Sequence, residues 1–459
     1  MGEYERMLSR KEVRATLHGF EPGELNPNLF DWQRIIVTRA CRAGRYAIFA
    51  DCGLGKTLMQ LEWARQVCAH TGGAVLVMAP LAVASQTVAE GGKFGIEVTQ
   101  CRDMPENPSG IYVTNYEMLD RFDVSAFDGV VLDESSILKS FTGKTKRRLT
   151  ESCKAARYRL SCTATPSPND LMELLNHGEF LGVMRSSEAL SVWFVNNQSE
   201  AGAYRLKGHA IASFWSWVAT WATAVSKPSD LGFPDEGFAL PRLVERDVIV
   251  ETDQRGDDGE ETLFHVPSLS ATSFHREKRR SLEARCEATA AIVRNYSELA
   301  HEQVIVWCYL NDESERLASL IPGAVEVRGS DSAESKERAA RDFQAGRFRV
   351  LISKPSIFGF GLNFQQCSHE VFCGLDYSFE SYYQAVRRVY RYGQSRQVEI
   401  VRVVGRDEQR ILDAIGRKAD MHAAERDSIA RAVAGGSEAF RLSPPGRPIP
   451  QIPFLKEAC

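Results

Sequence analysis

Five short runs constrain the fold of this chain more than anything else in it. They are Ala74–Met78 (AVLVM), Gly129–Leu132 (GVVL), Val304–Trp307 (VIVW), Arg349–Ile352 (RVLI) and Val398–Val404 (VEIVRVV). Each is brief, rich in β-branched residues and apolar on both faces, which is how strands buried inside a parallel sheet read. Helix-length amphipathic stretches lie between them, such as Thr57–Ala69 and Ser335–Ala345. Strand alternating with helix predicts an α/β chain whose parallel sheets are covered on both sides.

The alternation breaks between about residues 185 and 275, and the break sets the domain plan. That stretch carries Trp193, Trp215, Trp217 and Trp221, and then turns rich in Gly, Pro and Asp. Its first half reads as helical, its second half, from about Lys227, as a linker, and Leu240–Thr252 (LPRLVERDVIVET) as an extended strand. The predicted plan is a first lobe over 1–185, a mainly helical insertion and linker over 186–275, a second lobe over 276–434, and a flexible Pro-rich tail over 435–459. A length of 459 residues suits two or three domains, at about 150 residues each. Trp217 and Trp221 stand one helical turn apart, which favours a core role over stacking on bases or wedging a duplex.

Bulk properties exclude more than they assign. The chain is 44% hydrophobic and 25% charged, as ordinary globular proteins are. It holds no apolar run approaching the about 18 residues of a membrane span. Met1–Phe20 lacks the apolar stretch of a signal peptide. The 11 cysteines form no C-x-x-C pair, and Cys367 and Cys373 have no matching second pair, so no zinc site is expected. Cysteines within apolar runs, such as Cys162, Cys308 and Cys373, suit a reducing cytosol. With 60 acids against 56 bases, net charge neither suggests nor excludes nucleic acid, because phosphate binding depends on local clusters.

The strongest chemical signal is Ala50–Thr57, ADCGLGKT. A strand-like RYAIFA precedes it and a helical pattern follows, which is the context of a phosphate-binding loop. Glycines such as Gly53 and Gly55 let backbone amides close around phosphate oxygens. Lys56 would reach the terminal phosphates, and the Thr57 hydroxyl would hold Mg²⁺. Ala50 stands where the strict pattern has its first glycine, so a Gly-rich turn that happens to contain Lys is the competing reading. The second signal is Val130–Ser136, VVLDESS, a strand ending in adjacent carboxylates. Asp133 would join the Mg²⁺ shell, and Glu134 would orient and polarise the attacking water. A strand that merely ends in solvated acids competes with that reading.

Further motifs fall in order along the chain: FDWQ at Phe30–Gln33, MAPLAVASQ at Met78–Gln86, VTNYEM at Val113–Met118, SCTATP at Ser161–Pro166, FGFGLNFQQ at Phe358–Gln366 and QAVRRVYRYGQ at Gln384–Gln394. With the two above, these resemble the successive motifs of superfamily-two helicases. The last resembles the Swi/Snf-type signature. TATPSPN, GFGLNFQ and SFESYYQAVRR are most similar to compact, DEAD-like and Swi/Snf-like helicases carried by bacteriophages. The likeness covers about residues 28 to 405.

The resemblance implies two RecA-like lobes with an ATP site divided between them. Gln33 would read the adenine edge, with Phe30 or Trp32 against the ring. Gly53, Gly55, Lys56, Thr57, Gly361 and Gln384 would bind ATP, with Thr57 and Asp133 on Mg²⁺. Arg388 and Arg391 would reach the developing charge from the second lobe, which an arginine fork serves better than lysine. Arg387 reads instead as part of a solvated helix face. Thr163 and Thr165 would couple hydrolysis to movement. Pro80, Gln86, Thr114, Asn115 and Asn363 would touch nucleic acid, mostly through its backbone, with weak sequence preference.

Two basic clusters either bind phosphate or form solvated helix faces: Lys139, Lys144, Lys146, Arg147 and Arg148, and Arg276, Lys278, Arg279 and Arg280. His209 and His275 read as structural or surface residues.

The implied activity is an ATP-dependent DNA helicase or duplex DNA translocase, with single-stranded DNA as a further track. An RNA-dependent ATPase and a non-hydrolysing, nucleotide-dependent DNA clamp or assembly factor stay open. A monomer in a bacterial host cytoplasm, working beside a phage or host replication or recombination protein and away from membranes, completes the expectation. Two departures qualify it. The acidic motif reads DESS where many relatives have His at the fourth position, which puts the usual coupling to TATP in doubt. The insertion is also short for a chromatin remodeller, and no nuclease, methyltransferase or reader domain is visible.

Overall fold

The computed structural model describes residues 18–81, 83–196, 204–251, 278–358 and 362–435. The chain divides into two compact units, the first made of residues 1–238 and 421–459, the second of 239–420.

Unit 1 runs through α1 (Asp31–Ala43), β1 (Arg45–Ala50), α2 (Lys56–Thr71), β2 (Ala74–Ala79), α3 (Ala84–Lys93), β3 (Val98–Gln100), β4 (Gly110–Asn115), β5 (Gly129–Asp133), α4 (Lys144–Ser152), β6 (Tyr158–Cys162), α5 (Leu174–Phe180), α6 (Ser186–Trp193), β7 (Phe194–Asn196), β8 (Tyr204–Leu206), α7 (Ile211–Ala219) and β9 (Ala222–Val225). Seven of these strands form one parallel sheet in the order β3-β4-β2-β5-β6-β1-β9, and β7 and β8 pair as a separate antiparallel hairpin. Every residue of β2 is buried, as its AVLVMA run requires of a strand covered on both faces.

The topology brings distant motifs together. Strands β5, β6 and β1 are neighbours, and their registers align Asp133 with Cys162 and Ile48 with Cys162. The loops that follow these strands therefore emerge side by side at the carboxyl edge, where open α/β sheets bind ligands.

Unit 2 runs through β10 (Leu243–Val250), α8 (Leu282–Arg294), β11 (Val304–Cys308), α9 (Asn311–Leu320), β12 (Val325–Glu326), α10 (Ala333–Gln344), β13 (Val350–Ser353), α11 (Pro355–Phe358), β14 (His369–Cys373), α12 (Phe379–Val386) and β15 (Val398–Gly405). Its six strands are all parallel, in the order β10-β15-β14-β11-β13-β12. The last helix, α13 (Gln409–Gly435), belongs to unit 1 from Met421 onward. The predicted α/β class with two parallel sheets is what the chain adopts.

The domain boundary falls elsewhere than composition suggested. Residues 186–238 belong to unit 1, because β9 completes its sheet by pairing with β1 from Ala47↔Ala222 to Ala50↔Val225. The expected extended strand is β10, which pairs with β15 over its whole length in unit 2. The tryptophans are core, as their spacing favoured: Trp217 and Trp221 are 1% and 0% exposed. Trp193 stacks on Trp217 at 4.5 Å, and Trp217 meets Trp221 edge-on at 5.2 Å. They pack with Phe49 of β1 and Leu132 of β5, which anchors the insertion on the first sheet.

In unit 2 a buried charge cluster ties helices to strands. The Arg285 guanidinium donates to Glu313 Oε1 at 2.7 Å, to the Cys373 carbonyl at 3.1 Å, to the Lys278 carbonyl at 2.7 Å and to Ser281 Oγ at 2.9 Å. Glu408 lies 3.3 Å away. The acids hold Arg285 charged against the cost of its burial.

Candidate active site

Three loops build the site in unit 1. The loop after β1 turns through Gly53 (φ 85°) and Gly55 (φ 73°), both in the left-handed region that glycine enters without steric cost. Gly55 has a second constraint, since a Cβ there would sit 2.6 Å from Gln33 Nε2. Lys56, the first residue of α2, donates from Nζ to the Ala50 carbonyl at 3.0 Å, so its side chain folds back across the loop. Burial acts to lower the Lys56 pKa, but Cys52, Glu134, Asp133 and Asp51 outweigh it and hold the ammonium above its usual value.

Asp133 ends β5 with its side chain buried. Burial, with Glu134 alongside, pushes its pKa up to about 6, while Gln60 and Lys56 act the other way. Glu134 adopts φ 51°, ψ 54°, a left-handed conformation rare for a residue with a Cβ. Such strain costs of order 1–3 kcal/mol and gathers at functional sites. It is held by Tyr116 Oη, which donates to the Asp133 carbonyl at 2.6 Å, and by the Glu134 amide, which donates to Asp133 Oδ1 at 3.1 Å.

The segment after β6 is tethered at successive residues. Thr163 Oγ1 donates to Glu134 Oε2 at 3.4 Å and accepts from the Thr165 amide at 3.1 Å. The Ala164 carbonyl lies 2.9 Å from His422 Nε2, and the Pro166 carbonyl 3.0 Å from His177 Nε2. Ser167 Oγ donates to Glu425 Oε2. Arg426 ion-pairs with Asp51 at 3.2 Å, so α13 touches the phosphate-loop segment as well. Sequence reading missed His177, His422, Glu425 and Arg426. Nothing local marks them, since the α13 residues meet partners more than 200 positions away. Asp51 lies within ADCGLGKT and was the available signal.

Other expected residues have these surroundings. Gln33 spends its amide inside unit 1, accepting from the Phe30 amide at 2.9 Å and donating to the Leu54 carbonyl at 2.9 Å. It therefore links α1 to the phosphate loop. Trp32 is 3% exposed, which leaves Phe30 the more accessible ring; Phe238 meets both edge-on, at 5.1 and 5.7 Å. Thr57 is half-buried next to Lys56.

Pro80 follows β2, and Thr114 and Asn115 end the neighbouring β4, with Ala79 in register with Asn115. Thr114 Oγ1 and Asn115 Oδ1 are buried without a hydrogen-bond partner in the described structure. Gln86 is exposed on α3.

In the first basic cluster, Lys146 is buried against Glu179 and Arg148 pairs with Asp120 at 2.8 Å, while Lys144 and Arg147 are exposed. In the second, Lys278 is 2% exposed with its ammonium over the Tyr309 ring, so it offers no surface to phosphate. Arg276 and Gly361 lie outside the described residues, as do His275 and the Pro-rich tail.

In unit 2, Arg388 is 5% exposed. It donates to the Gln384 carbonyl at 2.9 Å, to Gln384 Oε1 at 3.0 Å and to the Leu362 carbonyl at 2.9 Å. Arg391 is half-buried and donates to the same Leu362 carbonyl at 3.2 Å. Asn363 Oδ1 accepts from the Gln365 amide at 3.2 Å. Gln394 fastens the turn after Arg391, donating to the Gln365 and Cys367 carbonyls at 2.9 and 2.8 Å. Arg388 thus donates from each of its three nitrogens within unit 2 and shares the Leu362 carbonyl with Arg391.

The donor set of unit 1 fits a nucleotide with Mg²⁺. Oxygen ligands such as Thr57 and Asp133 suit that ion, which binds few protein groups and keeps waters. Two left-handed glycines and a charged lysine suit phosphate. Among the described residues no three or more His, Cys, Asp or Glu gather as a metal cluster, and no helix is long and apolar enough to cross a membrane.

Residues 287–393 match the helicase conserved C-terminal domain. That match takes in β11, Asn363, Gln384, Arg388 and Arg391. The chain is also 27% identical over 153 residues to the human ATP-dependent DNA helicase Q4, an alignment covering 29% of this chain and 12% of that protein. Among solved structures it resembles the Sulfolobus solfataricus SWI2/SNF2 ATPase core in complex with dsDNA, at 18% identity, a TM-score of 0.43, and coverage of 92% of this chain and 98% of that one. The family match marks residues 287–393 alone as a helicase conserved C-terminal domain, and the chain spans about an eighth of the human relative's length.

Proposed function

We propose that this chain is an ATP-driven motor of the Swi/Snf-like type that moves along DNA, with duplex as its preferred track. The observation that carries the proposal is the joining of a lysine-bearing phosphate loop, a strained Asp133–Glu134 pair and a tethered 163–167 segment at one sheet edge. Gly53 and Gly55 bare the backbone amides that hold phosphate oxygens, and Lys56 supplies positive charge. Thr57 and Asp133 hold Mg²⁺, which neutralises phosphate charge when bound. Glu134 orients the attacking water, and Thr163, hydrogen-bonded to Glu134, senses its state. Arg391, with Arg388 ordering its segment, stabilises the charge that develops on the transferred phosphoryl group, an effect worth about 10³–10⁵ in rate.

Phe30 is the ring for adenine, while Gln33 acts through the phosphate loop. Thr114 Oγ1 and Asn115 Oδ1, buried and without a hydrogen-bond partner among the described residues, suit a track backbone beside Pro80. The likeness of the motifs to phage-borne helicases supports a bacterial cytoplasm as its place of work.

The test is steady-state ATP hydrolysis with duplex DNA, single-stranded DNA or RNA at one salt concentration. Hydrolysis should rise most with duplex DNA and collapse in Lys56→Ala, Glu134→Gln and Arg391→Ala. Normal turnover by Lys56→Ala would end the proposal, and stimulation by RNA alone would move the track to RNA. Displacement of a triplex strand without fork unwinding would make the motor a translocase.

A further inference from the structure

The acidic motif reads DESS, with Ser136 at its fourth position. Among the described residues, Ser136 Oγ donates to the Glu134 carbonyl, at 3.4 Å. The connection between the acid-bearing turn and the segment after β6 runs elsewhere. Ser161 Oγ lies 2.8 Å from Ser135 Oγ and 2.8 Å from His177 Nδ1. His177 Nε2 lies 3.0 Å from the Pro166 carbonyl. Ser135, Ser161 and His177 are all 0% exposed.

Burial holds the His177 pKa down to about 4, so the ring is neutral. A carbonyl only accepts, so Nε2 carries the ring proton and Nδ1 accepts; the Ser161 hydroxyl has a single proton, so when it donates to Nδ1 the Ser135 hydroxyl is the donor between the two serines. The Phe49 ring packs edge-on against the imidazole at 5.2 Å and fixes its plane. The neighbouring Asn176 donates to the Leu138 carbonyl at 2.8 Å, so α5 holds the chain beyond the acids too. One short helix thus grips both sides of the phosphoryl-transfer machinery.

We propose that His177 is a positioning residue that joins the Asp133–Ser136 turn to the Thr163–Ser167 segment, so that a change at the acids is passed to that segment through Ser161 and the imidazole. The proposal rests on the motor reading above. The role belongs to the geometry of both ring nitrogens, not to bulk, and this gives it a signature that a purely structural residue lacks.

The experiment uses the full chain carrying His177→Asn, His177→Gln, Ser161→Ala, or Ser161→Ala with His177→Asn. It measures DNA-stimulated kcat, KM for ATP, thermal midpoint, and amide hydrogen exchange across residues 163–168 without nucleotide. Ser161→Ala and His177→Asn should each lower kcat at least tenfold, with KM within twofold and faster exchange in that segment. The double variant should be no worse than the worse single one. Glutamine, whose amide nitrogen stands near the place of Nε2, should restore part of kcat and of the protection.

Unchanged kcat and exchange in Ser161→Ala overturns the proposal, even if the His177 variants fail to fold. Losses that follow the thermal midpoint, or that add in the double variant, overturn it as well. A parent chain that does not hydrolyse ATP ends the motor reading instead, and the exchange measurements still decide whether His177 holds the segment.

Discussion

Replacing Gly55 by alanine perturbs two things at once, and the structure separates them. The residue sits at φ 73°, where a Cβ meets the following carbonyl, a strain of about 1–2 kcal/mol. The new Cβ would also stand 2.6 Å from Gln33 Nε2, a separation that forces one of them to move. Gln33 is 2% exposed and held at both ends of its amide, so moving it breaks the 2.9 Å bond to the Leu54 carbonyl. Stranding that buried amide adds about 1–3 kcal/mol. The expected loss is therefore about 2–5 kcal/mol.

Urea denaturation of Gly55→Ala, with binding of a fluorescent ATP analogue, measures it. Gly55→Ala should unfold at lower urea and bind the analogue more weakly. Adding Gln33→Ala removes the collision and should leave the Gly55 effect at the backbone cost of about 1–2 kcal/mol. If Gly55→Ala unfolds within about 0.5 kcal/mol of the parent, both the strain and the collision are refuted. If the Gly55 effect is the same with and without Gln33, the collision alone is.

Other residues carry equally direct expectations. Trp217→Ala should cost about 3–5 kcal/mol in thermal or chemical denaturation, because a fully buried ring leaves a cavity. The half-buried Trp215→Ala should cost less, and equal costs would deny that Trp217 is core. Arg285→Met leaves Glu313 and Glu408 buried without their cation and should destabilise unit 2 by about 3–5 kcal/mol. A stability unchanged within error would show the cluster to be dispensable.

Glu425 gives a pH signature. Burial, aided by Glu173, raises its pKa to about 8, against the opposing effects of Ser167 and Arg426. A raised folded pKa means that the stabilisation is complete below the unfolded value near 4.5, declines as pH rises above it, and is gone once pH passes about 8. Thermal midpoints should therefore fall between about pH 5 and pH 8 in the parent and level off above that, and fall less in Glu425→Gln. Parallel pH profiles would remove Glu425 as the cause.

The sequence by itself determined whatever depends on short stretches of chain. A β-branched run buried on both faces, a glycine-rich turn between strand and helix, and a strand ending in two acids each show their chemistry over fewer than ten residues. Five such runs were enough to predict parallel sheets, and Trp217 and Trp221 are buried as expected, although α7 ends at Ala219 and the helical spacing behind that expectation stops short of Trp221.

The tertiary structure decided what depends on neighbours across the sheet. Only the strand order shows that β9 pairs with β1, and so moves residues 186–238 into unit 1. Gln33 and Arg388 looked like ligand-facing groups because their motifs carry such roles. Each also holds its own unit together, Gln33 through Leu54 and Arg388 through Gln384 and Leu362, which no spacing rule reveals. His177 and His422 bear no motif. They matter because folding sets an imidazole against one carbonyl of the 163–167 segment in each case, 11 and 258 residues away in the chain. A hydrogen bond depends on distance in space, and for contacts that remote only the packing of the sheet and its helices sets the distance.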